Sequence, residues 1–269
     1  MALSKELKDW VNSHIEKVVI DKLKNYNPET EQMPFHYRLL GKDRMAVFSL
    51  IQSINTTLGM SIFEELATKI ARSDPRFSVV KQKHTIGSVI SEKAQNMIQT
   101  IINDLSTENI KPNKPEEIEK IKQVANLGEL KATKHTKVDL FLVERNGKIY
   151  MFDIKTAKPN INEFKGYKRN LLEWVAIYLV ANPDTTGESI NTCLAIPYNP
   201  YEPEPYTRWT IGGMIDLEHE LKVGKEFWDF LGGQGTYEDL LACFEQTGIL
   251  LRQKIDDYIE NFKKDQTKR

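Results

Sequence analysis

Apolar positions along the first half of the chain recur at helical spacing. In residues 3–24, Leu7, Trp10, Val11, Ile15, Val18 and Val19 alternate with Lys and Glu, which predicts an amphipathic helix. Residues 25–34 are polar, hold two prolines and read as a loop. Helices are expected over about 43–57 and 61–71, and Ser73-Asp74-Pro75-Arg76 then breaks the pattern. Ile86 to Leu105 carries the next strong helical stripe, with Glu92 near its start and off the main stripe. After a polar connector, Pro115-Glu116-Glu117 opens a short helix, with proline in the first turn and acids at the positive end of the dipole.

After Gly128 the period changes to two. Val138, Leu140 and Leu142 alternate with Asp139 and Phe141, and Ile149, Met151 and Asp153 alternate with Tyr150, Phe152 and Ile154. Asn146-Gly147 between them is a hairpin signal, because both residues tolerate positive φ. A two-residue loop there would place Ile154 opposite Asp139, with Asp153 and Lys155 flanking it on one face. A bulge or splay would then be needed to bring the three charged groups together. A long helix is expected over 161–180, with a basic first half (Lys165, Lys168, Arg169), and a third strand over 189–197. Residues 198–210 hold three prolines and cannot be regular helix or central strand. Helices are expected over 224–231, 237–246 and 249–262. Gly232-Gly233-Gln234-Gly235 lacks the Lys-Ser/Thr of a phosphate loop and reads as a turn.

The period change from helix to alternating strands to helix predicts an α/β (α+β) fold: a central mixed sheet flanked by helices, with large helical additions at both ends. The 269 residues read as one domain, with a helical region 1–85, a core 86–197 and a loop and helical region 198–269. No apolar run approaches membrane-spanning length on this reading, and the charged N-terminus lacks a signal core, so the cytoplasm is the expected location. Cys193 and Cys243 form no disulfide framework or zinc spacing. The net charge of −1 argues against indiscriminate polyanion binding. Its distribution is uneven: residues 131–170 carry ten basic and four acidic residues, and residues 171–269 carry nine basic and seventeen acidic. A phosphate-bearing substrate would be drawn to the first of these segments.

Asp139 and Asp153 are therefore the candidate metal ligands. Two carboxylates around a small volume suit Mg²⁺, and Lys155 beside them could orient a water and stabilise charge on a phosphate. A bare Asp-x-Lys is common and carries little alone. Here an apolar strand leads into each acid, a basic helix follows and the local charge is positive. His135 is near but not required by this chemistry, and His14, His36, His84 and His219 show no ligand spacing.

Asp139, thirteen residues, then Asp153-Ile154-Lys155 resembles the PD-(D/E)XK nuclease signature, with Val138 where the pattern often has proline. Glu92 resembles the extra acid that many members place on the preceding helix. The stretches DIKTAKPNINEFKGYKRNLLEW, PYNPYEPEPYTRW and EFWDFLGGQGTYEDLL resemble a type II restriction endonuclease family associated with the interrupted palindrome GGNCC. The resemblance implies a Mg²⁺-dependent, sequence-specific cut in double-stranded DNA that leaves a 5′-phosphate. It also implies a homodimer and a companion DNA methyltransferase. Asp139, Asp153, the Ile154 carbonyl and Glu92 would bind metal, and Lys155 would activate water. Lys158, Asn160, Lys165, Lys168, Arg169 and Arg208 are candidate DNA contacts; Tyr206 and Trp209 could read bases but are expected to pack the loop. The alternatives are a repair or junction-resolving nuclease, and a non-catalytic DNA-binding protein on the same fold.

Overall fold

The computed structural model describes residues 3–26, 33–107, 110–134, 136–155, 163–207 and 213–267. In chain order the helices are α1 (Lys5–Asn25), α2 (Pro34–Leu40), α3 (Lys42–Thr57), α4 (Glu64–Ser73), α5 (Glu92–Ser106), α6 (Lys114–Lys122), α7 (Phe164–Ala181), α8 (Lys225–Gly232) and α9 (Thr236–Thr267). The strands are β1 (Phe77–Thr85), β2 (Val89–Ser91), β3 (Leu130–Ala132), β4 (Lys137–Glu144), β5 (Ile149–Ile154), β6 (Ile190–Ile196) and β7 (Leu221–Val223). They form two compact units: residues 1–66 with 233–269, and residues 67–232.

In the first unit α1 packs along α9. Ser4 caps α1 by accepting from the Leu7 N–H, and Asp239 accepts from the Leu3 N–H and the Lys8 ammonium. The sequence predicts a break near Gly248, but α9 runs through it. Thr247 is buried there and donates its hydroxyl to Asn12 of α1, so packing against the neighbouring helix overrides the weak local propensity. The helical run from Lys42 to Ser73 also corrects an expectation, since by length and composition it could cross a membrane. Its Met45, Leu50, Leu66 and Ile70 are buried, while Phe48 and Ile51 are exposed.

The second unit is built on a five-stranded sheet of order β1-β4-β5-β6-β7. The β1–β4 and β4–β5 pairs are antiparallel; β5–β6 and β6–β7 are parallel. Parallel β5 and β6 need a crossover, and α7 provides it. Helices α5 and α7 share a core with Phe141, Met151, Ile190 and Leu194. On the other face, α8 sets Phe227 and Phe230 against Phe152. The mixed sheet with flanking helices is the expected fold class. Strand β1 escapes a periodicity search because its second half, Lys-Gln-Lys-His-Thr, is polar; it is the outer strand on its side. The helix expected from Ile86 starts only at Glu92. Ile86 and Ile90 are buried, but Val89–Ser91 pairs with β3, and the Ser91 hydroxyl caps α5 by accepting from the Ala94 N–H.

The β4–β5 hairpin departs from the two-residue loop. Its loop is Arg145–Gly147, closed by Glu144 N–H to Lys148 O at 2.8 Å, and Gly147 N–H bonds Glu144 O at 2.9 Å. Gly147 has φ 89°, the left-handed residue that a three-residue hairpin needs. The ladder then pairs Val143 with Ile149, Phe141 with Met151 and Leu140 with Phe152. One step further, Asp139 faces Asp153 rather than Ile154. A Cβ on Gly147 would meet no atom within 4 Å, so substitution there strains the backbone alone. Gly147→Ala is expected to lower unfolding free energy by about 1–2 kcal/mol in denaturant titration.

Lys168 corrects a further expectation. It is fully buried, with Nζ 2.5 Å from both Glu117 Oε2 and Glu220 Oε2. Lys114, also buried, reaches Glu220 Oε1 at 2.9 Å. Burial pushes the Glu117 carboxyl up. At Glu220 burial acts the same way, but the two lysines and the Asp216 N–H hold it below the usual range. The cluster ties α7 to α6 and to the entry of β7. It cannot meet DNA because no part of it is exposed. Lys168→Met leaves Glu117 and Glu220 short of a cation in a buried site. It should destabilise the protein by about 3–5 kcal/mol in denaturant titration, and Lys168→Met/Glu117→Gln should recover part of the loss.

Candidate active site

The shifted register decides the geometry at the open end of the hairpin. Residues directly opposite in an antiparallel pair project from the same face, so Asp139 and Asp153 share one face, with Lys155 two residues further along it. The ladder between β4 and β5 stops at Leu140. Beyond it the Asp139 side chain replaces a backbone partner, and its Oδ2 accepts from the Ile154 N–H at 2.8 Å. On the other side, the Lys155 N–H bonds Ala195 O at 2.9 Å, so β6 fixes the backbone of the Asp-Ile-Lys triplet.

Asp153 is buried, and Lys155 Nζ lies 2.5 Å from its Oδ1. Burial pushes the Asp153 carboxyl up to about 6. Lys155 opposes that rise, and Asp139 adds to it. Burial would lower the Lys155 ammonium, but Asp153, Asp139 and Glu163 outweigh it and hold its pKa above the usual lysine range. The first turns of α7 complete the surroundings. Lys155 Nζ sits 5.5 Å from the centroid of the Tyr167 ring, and the Tyr167 hydroxyl donates to the Glu163 carboxylate. Sequence reading missed Glu163 and Tyr167. Their signal was a spacing of four, one helical turn, in the helix directly after Asp-x-Lys.

The donor set fits a hard divalent cation. Asp139 and Asp153 lie close together, Lys155 pairs with the buried Asp153, and the Ile154 N–H donates to Asp139. These oxygens match Mg²⁺ chemistry, with water completing the shell. Glu92 does not join them. It is exposed in the first turn of α5, and its N–H bonds Glu129 O at 2.8 Å. Among the described residues no group of three or more His, Cys, Asp or Glu converges. His135, Lys158, Asn160, Arg208 and Trp209 lie outside the described residues.

Of the other candidate DNA contacts, Lys165 is exposed and Arg169 half-buried on α7. They line an open pocket of about 420 Å³ between α5 and α7 with Gln99, Asn103, Ser106 and Thr107, and an Arg169 guanidinium N–H donates to Gln99 Oε1 at 2.5 Å. Tyr206 packs on Tyr201 within the proline-rich loop, as expected for a packing residue.

The family model described as "Type II restriction endonuclease, HinfI" matches residues 3–248. Among curated proteins, the type II restriction enzyme HgiEI of Herpetosiphon aurantiacus is 24% identical over 262 residues, 91% of this chain and 92% of that protein. HgiCII of the same organism is 26% identical over 221 residues, 80% of this chain and 77% of its own length. The type II restriction enzyme MjaII of Methanocaldococcus jannaschii is 25% identical over 264 residues, 87% of this chain and 68% of that protein. With a match across nearly the whole chain and a mixed sheet that presents two acids and a lysine at one end, this protein belongs to the HinfI family of type II restriction endonucleases, site-specific deoxyribonucleases acting on double-stranded DNA.

Proposed function

We propose that Asp139, Asp153 and Lys155 form the cleavage centre, of PD-(D/E)XK type, and that it works with Mg²⁺. The observation that carries this reading is the join at the hairpin's open end: Asp139 held on the Ile154 N–H, and Lys155 on Asp153. Asp139, Asp153 and the Ile154 carbonyl would hold the cation, which supplies Lewis acidity at the scissile phosphate. Lys155 hydrogen-bonds the attacking water and offsets charge growing on the phosphoryl oxygens. The Tyr167 ring and Glu163 keep its ammonium at that place. Attack on phosphorus with departure of the 3′ oxygen leaves a 5′-phosphate. Lys165 and Arg169 contact the DNA backbone beside α7. The enzyme acts as a homodimer on a short palindrome, GGNCC by the resemblance of residues 130–245, because a two-fold dimer matches a two-fold site. It works in the cytoplasm beside a companion methyltransferase that protects host DNA. Glu92 remains a candidate only if the bound state brings it to the pair.

Unmethylated phage DNA incubated with Mg²⁺ tests the reading, and wild-type protein should yield discrete fragments. Lys155→Ala should lower the single-turnover cleavage rate about 10³-fold, since a charge at the reacting phosphate is lost. Its DNA affinity should stay within about tenfold of wild type, because one phosphate-side charge is a small part of the interface. Undiminished cleavage by this variant would remove Lys155 from the mechanism.

The Asp153 carboxyl also predicts a pH effect on the metal-free protein. With its folded value near 6 and an ordinary value of 3.8, the native state binds the proton more tightly than the unfolded chain. The carboxylate therefore destabilises the metal-free fold as pH rises through that window, fully so above about pH 6. Asp153→Asn should melt at a higher temperature than wild type at about pH 7.5 in EDTA, and the gap should close below about pH 4. A lower melting temperature for the variant at pH 7.5 would contradict the burial argument.

A further inference from the structure

Helix α2 reads Pro-Phe-His-Tyr-Arg-Leu-Leu, and none of its residues is buried. Phe35 and Leu39, one turn apart on it, are 86% and 83% exposed. A helix of two turns is marginal in water on its own, and packing of its apolar face is what ordinarily holds one. Helix α3 lies against α2 and continues the pattern. Its Met45, Ala46 and Leu50 are buried, whereas Phe48 and Ile51, also one turn apart, are 44% and 53% exposed. The run from Lys42 to Ser73 is apolar enough to cross a membrane, yet only 24% of its most apolar stretch is buried. Single exposed apolar residues need no account, but a concentration of this kind does.

The chain leading into α2 offers no cover: residues 27–32 read Asn-Pro-Glu-Thr-Glu-Gln and hold no large apolar side chain. A membrane fits poorly. Ile62, Leu66 and Ile70, in the second half of the same run, are already buried in the protein. The cations that would reach headgroups are folded back onto the backbone, Arg38 donating to Pro34 O at 3.0 Å and Arg44 to Leu40 O at 2.8 Å. With both guanidinium groups held on helix carbonyls, the face can meet a copy of itself with little like-charge repulsion. The area agrees. Phe35, Leu39, Leu40, Phe48 and Ile51 open roughly 500 Å² of apolar surface. A standard interface takes about 800 Å² from each partner, and in homodimers roughly two-thirds of that is apolar, which is a similar amount. We propose that the α2–α3 face is the contact between two copies of this chain, each setting Phe35 and Leu39 on the other. This rests on the homodimer reading above and names the surface that makes it.

The test is sedimentation equilibrium of the full chain at about 0.1–50 µM. Wild type should reach twice the 31.1 kDa chain mass. Phe35→Glu/Leu39→Glu should weaken self-association at least about 100-fold, because acids would be buried against acids across the two-fold contact. Far-UV circular dichroism should show unchanged helix content, since both residues are exposed in the single chain. The control Leu127→Glu, at an exposed leucine of the other compact unit, should stay within about twofold of wild type. Mixing Phe35→Glu/Leu39→Glu with Phe35→Lys/Leu39→Lys should restore a dimer that neither variant forms alone. A dimeric glutamate variant, a failed rescue on mixing, or an equal loss in Leu127→Glu overturns this surface and leaves the homodimer reading standing. Wild type that stays monomeric at the highest concentration overturns both. Flotation of monomeric wild type with vesicles of phosphatidylcholine and phosphatidylglycerol would assign the face to a membrane and overturn the proposal as well.

Discussion

Everything at the site depends on one left-handed residue. Gly147 closes a three-residue loop, and that loop sets which residues of β4 and β5 face each other. Side chains alternate strictly along a strand, so a shift of one residue moves every side chain to the other face. With a two-residue loop Asp139 would have shared a face with Ile154, away from Asp153 and Lys155. With the observed loop the two acids and the lysine fall on one face with no distortion within the strands. The ladder ends one residue before Asp139, which frees the Ile154 N–H for its carboxylate. The turn lies at the far end of the hairpin from the site, but its geometry is transmitted through rigid strand pairing.

Helix α7 holds the second part of the arrangement. Its first turns present Glu163 and Tyr167 to Lys155, and the next residue, Lys168, points into the buried cluster with Glu117 and Glu220. Buried ion pairs are poor sources of net stability, because desolvation offsets most of the attraction. They do restrict which packings are tolerated. A helix whose buried lysine must meet two carboxylates from α6 and the β7 entry has little freedom to rotate or slide. Tyr167, one position earlier, is held with it. The cation beside Asp153 is thus supported from below by another cation–carboxylate set that never sees solvent.

Much of this was legible in the sequence. The switch from helical to alternating period located β4, β5 and α7, and Asp-Ile-Lys at a strand end marked the candidate site. Lys168 was misread although its signal was present. It lies four residues after Phe164 and three before Leu171, on the apolar stripe of α7, and a lysine there implies a buried partner. That partner, Glu117, is about fifty residues away, so only tertiary structure identifies it. The loop length was not legible, since Asn-Gly serves both hairpin lengths. Strand β1 was hidden by the polar outer face of an outermost strand, and the α9 break was overridden by a packing contact between Thr247 and Asn12. At Lys168 and at the α9 break a long-range contact outweighed a local preference; at the hairpin and in β1 the local signal was itself ambiguous.

The burial of Lys168 also changes the electrostatic account of DNA binding. The positive segment 131–170 loses one cation to the core, and a second, Lys155, is neutralised against Asp153. The surplus left on the surface is smaller than the composition implies, and part of it, Arg145 and Lys148, sits at the hairpin turn away from the acids. A polyanion cannot approach such a centre on long-range attraction alone, particularly when the whole chain carries −1. Approach must rest on cations within a few ångströms of the acids and on the divalent ion the acids would hold. Phosphate contacts beside the cut therefore carry more weight here than on a uniformly basic surface, and binding would be coupled to the chemistry of the site.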